Sequence, residues 1–519
     1  MASPQHSESA KDTSSEEVSD SDEQMSEADT DNENRSEGIE QTDNDEDEMQ
    51  DEEFPTLIEP NGYTSSKCGY CSPLKKESDP RTSRSYGKDG VGQETMYTSE
   101  YRAWKISIIP VEETKFITFA TRSPDMANTC CPQYTIRLDA IRFDAGKDKK
   151  MRYLLYRWKR FVLEGNKPGD QETNAQQSAE KPKGKQKTNK ANTNTSFDYT
   201  QELRATEHDA ATGAGIEPSV RYEVSLVPAV ATTERFKLYE RYQEAIHKDR
   251  PGKNTMSGFD RFLCRNPLGK RRIPYPHPEL VPEDLPKHYG CFHQLHRVDG
   301  KLIAFSVLDI LPGCVSSVYF VWDPDYAWAS LGKLSALRET ALAKEFHKTG
   351  MSDMGWLYMG YYIWTCQKMR YKGEYSPSYL LDPGTNQYHP LETAIKVIEL
   401  RPQGYTPFYT SVETLAEIVK VHNSMDVTPR DTTKSITKSG LPPSWPTPPP
   451  PSFLDPAKIT KDDLRKLVVL LHGSLTLLGT IPFRDPSAVN RMVAELIAAV
   501  GKDRLATLDT LDRRIFLTF

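Results

Sequence analysis

The sequence predicts an α+β protein in three parts: a small cysteine-bearing domain, a mixed sheet with helices, and a helical extension at the end. Three observations carry this. Residues 301–309 and 315–322 are rich in β-branched and aromatic side chains and alternate as strands do. Residues 330–347 repeat Leu334, Leu337, Ala341 and Leu342 at helical spacing. Two cysteine pairs, Cys68-x-x-Cys71 and Cys130-Cys131, stand in the first part of the chain, and a fold that joins them makes a four-sulfur site for zinc or an iron–sulfur cluster.

The other elements follow in order. Met151, Leu154, Leu155, Trp158, Phe161 and Val162 recur at helical spacing with Lys150, Arg152, Arg157, Lys159 and Arg160 between them, which predicts an amphipathic basic helix. That face is either plainly solvated or a surface for phosphates. Residues 221–227 read as a strand, 233–247 as a helix and 357–363 as a strand. In the tail, Thr460 and Asp463 make a capping-box pattern ahead of Leu464, Leu467, Val468 and Leu471. Pro486-Ser487 opens a second helix with Val489, Val493, Leu496 and Val500, so the expectation is a helical hairpin.

Low-complexity stretches set the expected boundaries. Residues 1–54 hold 21 Asp and Glu against Lys11 and Arg35, an acidic disordered tail that cannot bury a core. A cysteine domain then spans 55–164. Residues 165–218, rich in Lys, Gln, Asn, Thr and Ala, read as a disordered linker. The main domain covers 219–423, a Pro-rich linker of extended character 424–458, and the helical extension 459–519. The tail's net charge of −19 hides a body of +11 within the overall −8, and a basic body admits a polyanionic partner such as RNA.

Function classes narrow from the same reading. No apolar leader opens the chain, and the apolar stretch at 467–478 is broken and too short for a bilayer, so a soluble intracellular protein without a membrane partner is expected. Eight cysteines in 519 residues is no disulfide scaffold. Cys264, Cys291, Cys314 and Cys366 read as small buried hydrophobes.

Four further features carry chemistry. Ile303, Phe305, Val307 and Asp309 share a face by strand alternation. Asp309 is then either an exposed turn aspartate or a carboxylate that binds a cation. Ser317, Tyr319 and Val321 share a face on the next strand, with a wet cleft and a structural hydroxyl as the two readings. Gly332 stands at a helix start, where free N–H groups suit an anion. Lys368, Arg370, Tyr371 and Lys372 put three cations and an aromatic in one short loop, an ordinary basic loop or a grip on nucleic acid.

Cys68-Gly69-Tyr70-Cys71, Ser83-Arg84-Ser85-Tyr86 and the run Cys130-Cys131-Pro132-Gln133-Tyr134-Thr135-Ile136-Arg137 resemble the N-terminal domain of the eukaryotic arginyl-tRNA–protein transferases. So do Tyr239-x-x-Tyr242-Gln243, the run Asp309-Ile310-Leu311-Pro312 through Tyr319, Asp323-Pro324-Asp325-Tyr326, Tyr358-Met359-Gly360-Tyr361-Tyr362-Ile363 and Lys368-Met369-Arg370-Tyr371-Lys372-Gly373. The resemblance covers about residues 62–141 and 219–400. Trp364 stands where the family usually has His, and residues 87–128 lack the family's Gly-Trp-Arg-Arg-Ser-Gly-like element.

The resemblance implies a GNAT-like (acyl-CoA N-acyltransferase-like) main domain that takes arginyl-tRNA as co-substrate. It implies transfer of arginine to proteins beginning with Asp, Glu or oxidised Cys, marking them for ubiquitin-dependent degradation. CoA is not expected, because no Arg/Gln-x-x-Gly-x-Gly/Ala cradle precedes the 330–347 helix. Asp309 is assigned to the arginine guanidinium, with Ser317 and Tyr319 lining the cleft. Gly332, Tyr361, Lys368, Arg370, Tyr371 and Lys372 are assigned to the tRNA acceptor end and substrate, and Arg157, Lys159 and Arg160 to the tRNA backbone. Cys68, Cys71, Cys130 and Cys131 hold the iron–sulfur cluster or zinc, as a structural or regulatory centre away from the chemistry. A monomer in the cytoplasm, and also in the nucleus, is expected. The alternative is a catalytically impaired tRNA-binding adaptor with the same metal-stabilised front.

Overall fold

Asp299-Gly300 and Pro312-Gly313 join three long strands into a meander. In the computed structural model Asp299 has φ 50, Gly300 φ 79 and Gly313 φ 85, positive values suited to the tight hairpin turns that Asp-Gly and Gly allow. The structure describes residues 119–165, 197–409 and 454–518 with short gaps, the strand backbones at 56–66, 83–89 and 105–108, and residues 68–71. The expected acidic tail and residues 168–196 and 424–453 lie outside the described residues.

In chain order the strands are β1 (Thr56–Ser66), β2 (Ser83–Asp89), β3 (Lys105–Ile108), β4 (Phe119–Pro124), β5 (Tyr134–Asp139), β6 (Tyr222–Pro228), β7 (Arg271–Arg272), β8 (His288–Val298), β9 (Lys301–Leu311), β10 (Cys314–Trp322), β11 (Trp356–Tyr362), β12 (Ser378–Asp382), β13 (Gln387–Pro390), β14 (Val468–Leu471), β15 (Ser474–Leu477) and β16 (Ile515–Thr518). The helices are α1 (Lys149–Glu164), α2 (Tyr199–Arg204), α3 (His208–Gly213), α4 (Thr233–Tyr242), α5 (Met256–Leu263), α6 (Leu331–Lys348), α7 (Gln367–Arg370), α8 (Leu391–Leu400), α9 (Lys461–Arg465) and α10 (Pro486–Val500). One sheet runs β13-β12-β5-β11-β10-β9-β8-β6, with β7 on β8, and the other β15-β14-β16-β1-β2-β4-β3.

The large sheet is covered on both faces. Helices α1, α6 and α8 bury Leu154, Trp158, Leu334, Leu337, Val397 and Ile398 in the main core. Each such side chain stabilises by roughly 1.5–3 kcal/mol. On the other face α4 and α5 set Leu238, Tyr239, Phe259 and Leu263 against Phe305, Val307 and Val321. Ile303, expected beside Phe305, joins the main core instead. Asp148 caps α1 by accepting from Lys150 N, and Gly165 ends it in the left-handed region at φ 72.

Three expectations change here, and one strand is new. The cysteine segment 55–164 does not stand apart: β5 lies between β11 and β12, and α1 shares one core with residues 220–408. Within the expected linker 165–218, residues 199–204 and 208–213 are helical, because Tyr199, Leu203 and Ala211 find burial and Asp198 caps the first turn. The tail 459–519 is mixed rather than a helical hairpin. Thr460 and Asp463 do form the capping box, and α10 does open at Pro486 behind Asp485, but Val468–Leu471 is a strand paired with Ser474–Leu477. The consecutive Val468 and Val469 favour the strand over one more helical turn. Finally, β8, not read from the sequence, is the partner of β9.

Candidate active site and metal centre

β10 and β11 run parallel and pair only at Val315–Leu357 and Ser316–Tyr358. Beyond that point β10 stays on β9 as far as Trp322–Ala304, while β11 stays on β5 as far as Tyr362–Tyr134. The strands therefore part, and a cleft opens in the middle of the sheet. A register shift lies on each side of it, between Ser317 and Tyr319 and between Tyr358 and Tyr361. Gly360 supplies the second with φ 70, a conformation that costs a β-carbon-bearing residue strain. Lys372 Nζ donates to the Tyr361 carbonyl at 2.9 Å, capping an acceptor on the strand that has lost its neighbour. Burial pulls the Lys372 ammonium down to a pKa of about 8.

The β10 bulge separates two residues expected on one face. Ser317 pairs with Leu308 and Tyr319 with Val307, and neighbours on β9 point to opposite faces. Ser316, opposite Asp309, takes the place expected of Ser317. Tyr319 sits edge-on to Phe262 at 5.2 Å and to Tyr242 at 6.4 Å, and burial pushes its phenol well above the usual range. Asp309 is 6% exposed and lies inside β9, which excludes the exposed-turn reading. It hydrogen-bonds with Cys291, whose thiol is pushed well up by burial and by that carboxylate.

A polar row crosses the same face. Tyr379 on β12, Arg137 on β5, Tyr358 on β11, Ser316 on β10, Asp309 on β9 and Cys291 on β8 are successive cross-strand partners. On the opposite face, beneath the cleft, Ser306 and Ser335 hydroxyls lie 2.8 and 2.6 Å from Glu339 Oε1, all buried. Sequence reasoning missed this network; its signal was a carboxylate on the apolar side of the 330–347 helix.

The expected anion-binding residues divide. Gly332 is in the first turn of α6, whose N-terminus has no side-chain cap, and Phe320 packs 3.6 Å from its β-carbon position. Arg157 Nη2 donates to Ser330 Oγ at 3.2 Å, just ahead of that turn. Lys159 is held by Glu202 at 2.7 Å and Arg160 by Glu164 at 3.1 Å, so the three do not act as one stripe. Lys368, Arg370 and Tyr371 are exposed just past β11, with Arg370 stacked 5.3 Å from the Trp364 ring.

Cys68, Cys71, Cys130 and Cys131 are buried free thiols whose sulfurs all lie within 4.8 Å of one another. Cys71 and Cys130 sulfurs are 3.6 Å apart. A tetrahedral ion with Zn–S bonds of ~2.3 Å needs sulfur separations of about 3.8 Å, so the residues fit one metal ion. Thr365 Oγ1 donates to Cys131 Sγ at 3.3 Å, an outer partner of the kind that orients a ligand. The centre packs on Tyr361 and Ile363, with Cys366 and Met369 at its edge. It is thus in contact with the segment that bears Lys368, Arg370 and Lys372, not remote from the cleft as expected.

Among the described residues no helix is long and apolar enough to cross a membrane. Residues 234–382 match the family model for the C terminus of arginine-tRNA-protein transferase. Arginyl-tRNA–protein transferase 1 of Arabidopsis thaliana is 41% identical over 188 residues, 35% of this chain and 28% of that protein. The protein of the same name from Drosophila melanogaster is 44% identical over 163 residues, 31% of each. Aspartate/glutamate leucyltransferase of Campylobacter jejuni is 36% identical over 84 residues, 16% of this chain and 33% of that one. The chain spans roughly a third of the length of these relatives. Among solved structures, L-PGS from Bacillus licheniformis aligns at a TM-score of 0.19 and 8% identity over 52% of this chain and 50% of that one, too low to bear on the fold. The stretch that matches holds the parted strands, Asp309, α6 and Lys372 alike, and over it the chain is similar to the arginyl-tRNA–protein transferases.

Proposed function

We propose that the chain transfers arginine from arginyl-tRNA to the N-terminal α-amine of proteins that begin with Asp, Glu or oxidised Cys, marking them for ubiquitin-dependent degradation. The observation that carries this is the cleft between β10 and β11, formed inside the residues that match the family model. The acceptor nitrogen attacks the ester carbonyl carbon. A C–N bond forms, the C–O bond to the tRNA ribose breaks, the amine gives up a proton and the departing ribose oxygen takes one.

Little acid–base catalysis is needed. The ester is already activated, and an α-amine with a pKa of about 7.7–8.0 is partly neutral at pH 7. Holding the two reactants at attack distance supplies most of the acceleration. In this reading Asp309 pairs with the guanidinium of the tRNA-borne arginine, and Ser316, Ser317 and Tyr319, around the β10 bulge, line the cleft. Gly332, Tyr361, Lys368, Arg370, Tyr371 and Lys372 meet the acceptor end, and Arg157 meets a phosphate near the α6 N-terminus. The parted parallel strands suit a GNAT-like domain. The four thiols hold one tetrahedral ion, zinc or iron, and a multi-iron cluster fits only if they move apart. The protein acts as a monomer in the cytoplasm and the nucleus.

The test is transfer of labelled arginine from arginyl-tRNA to a peptide beginning with Asp. Label on that peptide, and none on its N-acetylated form, is the expected result. Bound tRNA without transfer would favour the adaptor reading instead.

A further inference from the structure

We propose that Arg137 receives the carboxylate of the acceptor's first residue, and so sets the preference for acidic N-termini. The proposal rests on the transfer reading above and names the residue that reads the acceptor. Arg137 stands on β5 within the polar row, with its guanidinium carbon 3.7 Å from the Trp356 ring centre and 3.6 Å from that of Tyr388. Two rings clamp the planar group in one orientation and leave its donor edge to act as a fork for a carboxylate. Nη1 donates to the Tyr358 hydroxyl at 3.4 Å, a long contact, and Nε is buried with no hydrogen-bond partner.

No carboxylate among the described residues forms an ion pair with it. Four other arginines near this sheet are paired: Arg338 has Glu207 and Glu345, Arg241 has Asp323 and Asp325, Arg204 has Glu207, Asp284 and Glu345, and Arg297 has Glu234. Arg235, which has no carboxylate, is satisfied instead by the Pro228 and Val230 carbonyls and His293. Asp139, two residues along the strand, accepts from Arg142 N at 3.0 Å. A part-buried guanidinium with an orphaned donor and no counter-charge is costly unless an anion completes it.

The row also matches the product in charge order. Arg137 and Asp309 are three strand spacings apart, roughly 14 Å at ~4.8 Å per strand. A newly arginylated acidic N-terminus carries a cation and an anion on adjacent residues, whose Cα atoms are ~3.8 Å apart and whose side chains reach outward in opposite directions. Its guanidinium toward Asp309 and its carboxylate toward Arg137 place the new peptide bond between Ser316 and Tyr358. Row and product are complementary end to end.

The experiment uses the full chain, arginyl-tRNA and two peptides differing only in Asp or Asn at the first position. For R137Q, kcat/KM with the Asp peptide should fall roughly 100-fold, mainly through KM, as for a truncated charge pair. The Asn peptide should change by less than about 3-fold, and arginyl-tRNA affinity should hold. R137K, which keeps the charge but not the fork, should retain part of the discrimination. Equal losses for both peptides, or an unchanged Asp-to-Asn ratio, would overturn the proposal. Should the unaltered chain transfer to neither peptide, the transfer reading fails on its own. Direct binding of the Asp peptide then still decides for Arg137, which is refuted if the unaltered chain and R137K and R137Q bind it alike.

Discussion

Lys372 offers a test of the cleft that pH alone can run. Its ammonium is held by the Tyr361 carbonyl at 2.9 Å, and burial lowers its pKa to about 8 from an unperturbed 10.5. The folded group therefore loses its proton before the unfolded one. Between pH 8 and 10.5 the unfolded chain binds more protons, and this site's contribution to stability rises with pH by roughly 3 kcal/mol, at 1.36 kcal/mol per pKa unit. Below pH 8 that cost is present in full. Binding has the opposite sign, because a phosphate needs the charged form. At pH 7 K372M should weaken binding of uncharged tRNA by roughly 5-fold, and the slope of log K against log salt should be shallower by about 0.7–0.9, one phosphate contact. As pH rises past 8 the unaltered chain loses the same charge, so the gap should close with a midpoint near pH 8. Fluorescence anisotropy of labelled tRNA from pH 6.5 to 9.5 measures it. A gap constant to pH 9.5, or an unchanged salt slope, would show that Lys372 only braces β11 and does not touch tRNA.

Other outcomes follow from the same geometry. Glu339→Ala removes the acceptor shared by the Ser306 and Ser335 hydroxyls, which also bond each other at 2.6 Å, so one buried donor loses its partner. This should destabilise by about 2 kcal/mol, seen as a lower denaturant midpoint, with Glu339→Gln costing less. Cys68→Ser removes one of four ligands, and elemental analysis of purified protein should find the metal well below one per chain; full occupancy would refute the four-thiol site. Asp309→Asn should raise KM for arginyl-tRNA by about 10-fold or more while sparing the preference between Asp and Asn acceptors, because it sits at the other end of the row from Arg137.

What the sequence made legible was local. The apolar stripe of α6, the strands around 301–311 and 314–322 and the capping box at Thr460 all depend on residues within a few positions of one another, and all are present. The paired cysteines were legible for a different reason: thiols in pairs are rare enough to point at each other across 59 residues. The misplacements were non-local. Residues 199–204 look polar in isolation, yet Tyr199 packs edge-on against Phe143 at 5.3 Å and turns a linker into a helix. Alternation put Ser317 with Tyr319, and only the pairing with β9 shows the extra residue at Val318 that sends them to opposite faces.

Register also explains why Arg137 stayed invisible beside the cysteines it follows. On β5 alone it is one cation in an apolar strand. Its meaning comes from strand order: β5 enters between β11 and β12, more than two hundred residues later in the chain, and only then does Arg137 meet Tyr358 and fall in line with Ser316 and Asp309. The same insertion brings Cys130 and Cys131, just ahead of β5, against Tyr361 and Ile363 at the end of β11. One strand thus carries both the metal centre and the row into the middle of the sheet. Mutations that shift β5 should damage metal retention and acceptor choice together, whereas R137Q should damage acceptor choice alone. That separation distinguishes a binding residue from a brace in the fold.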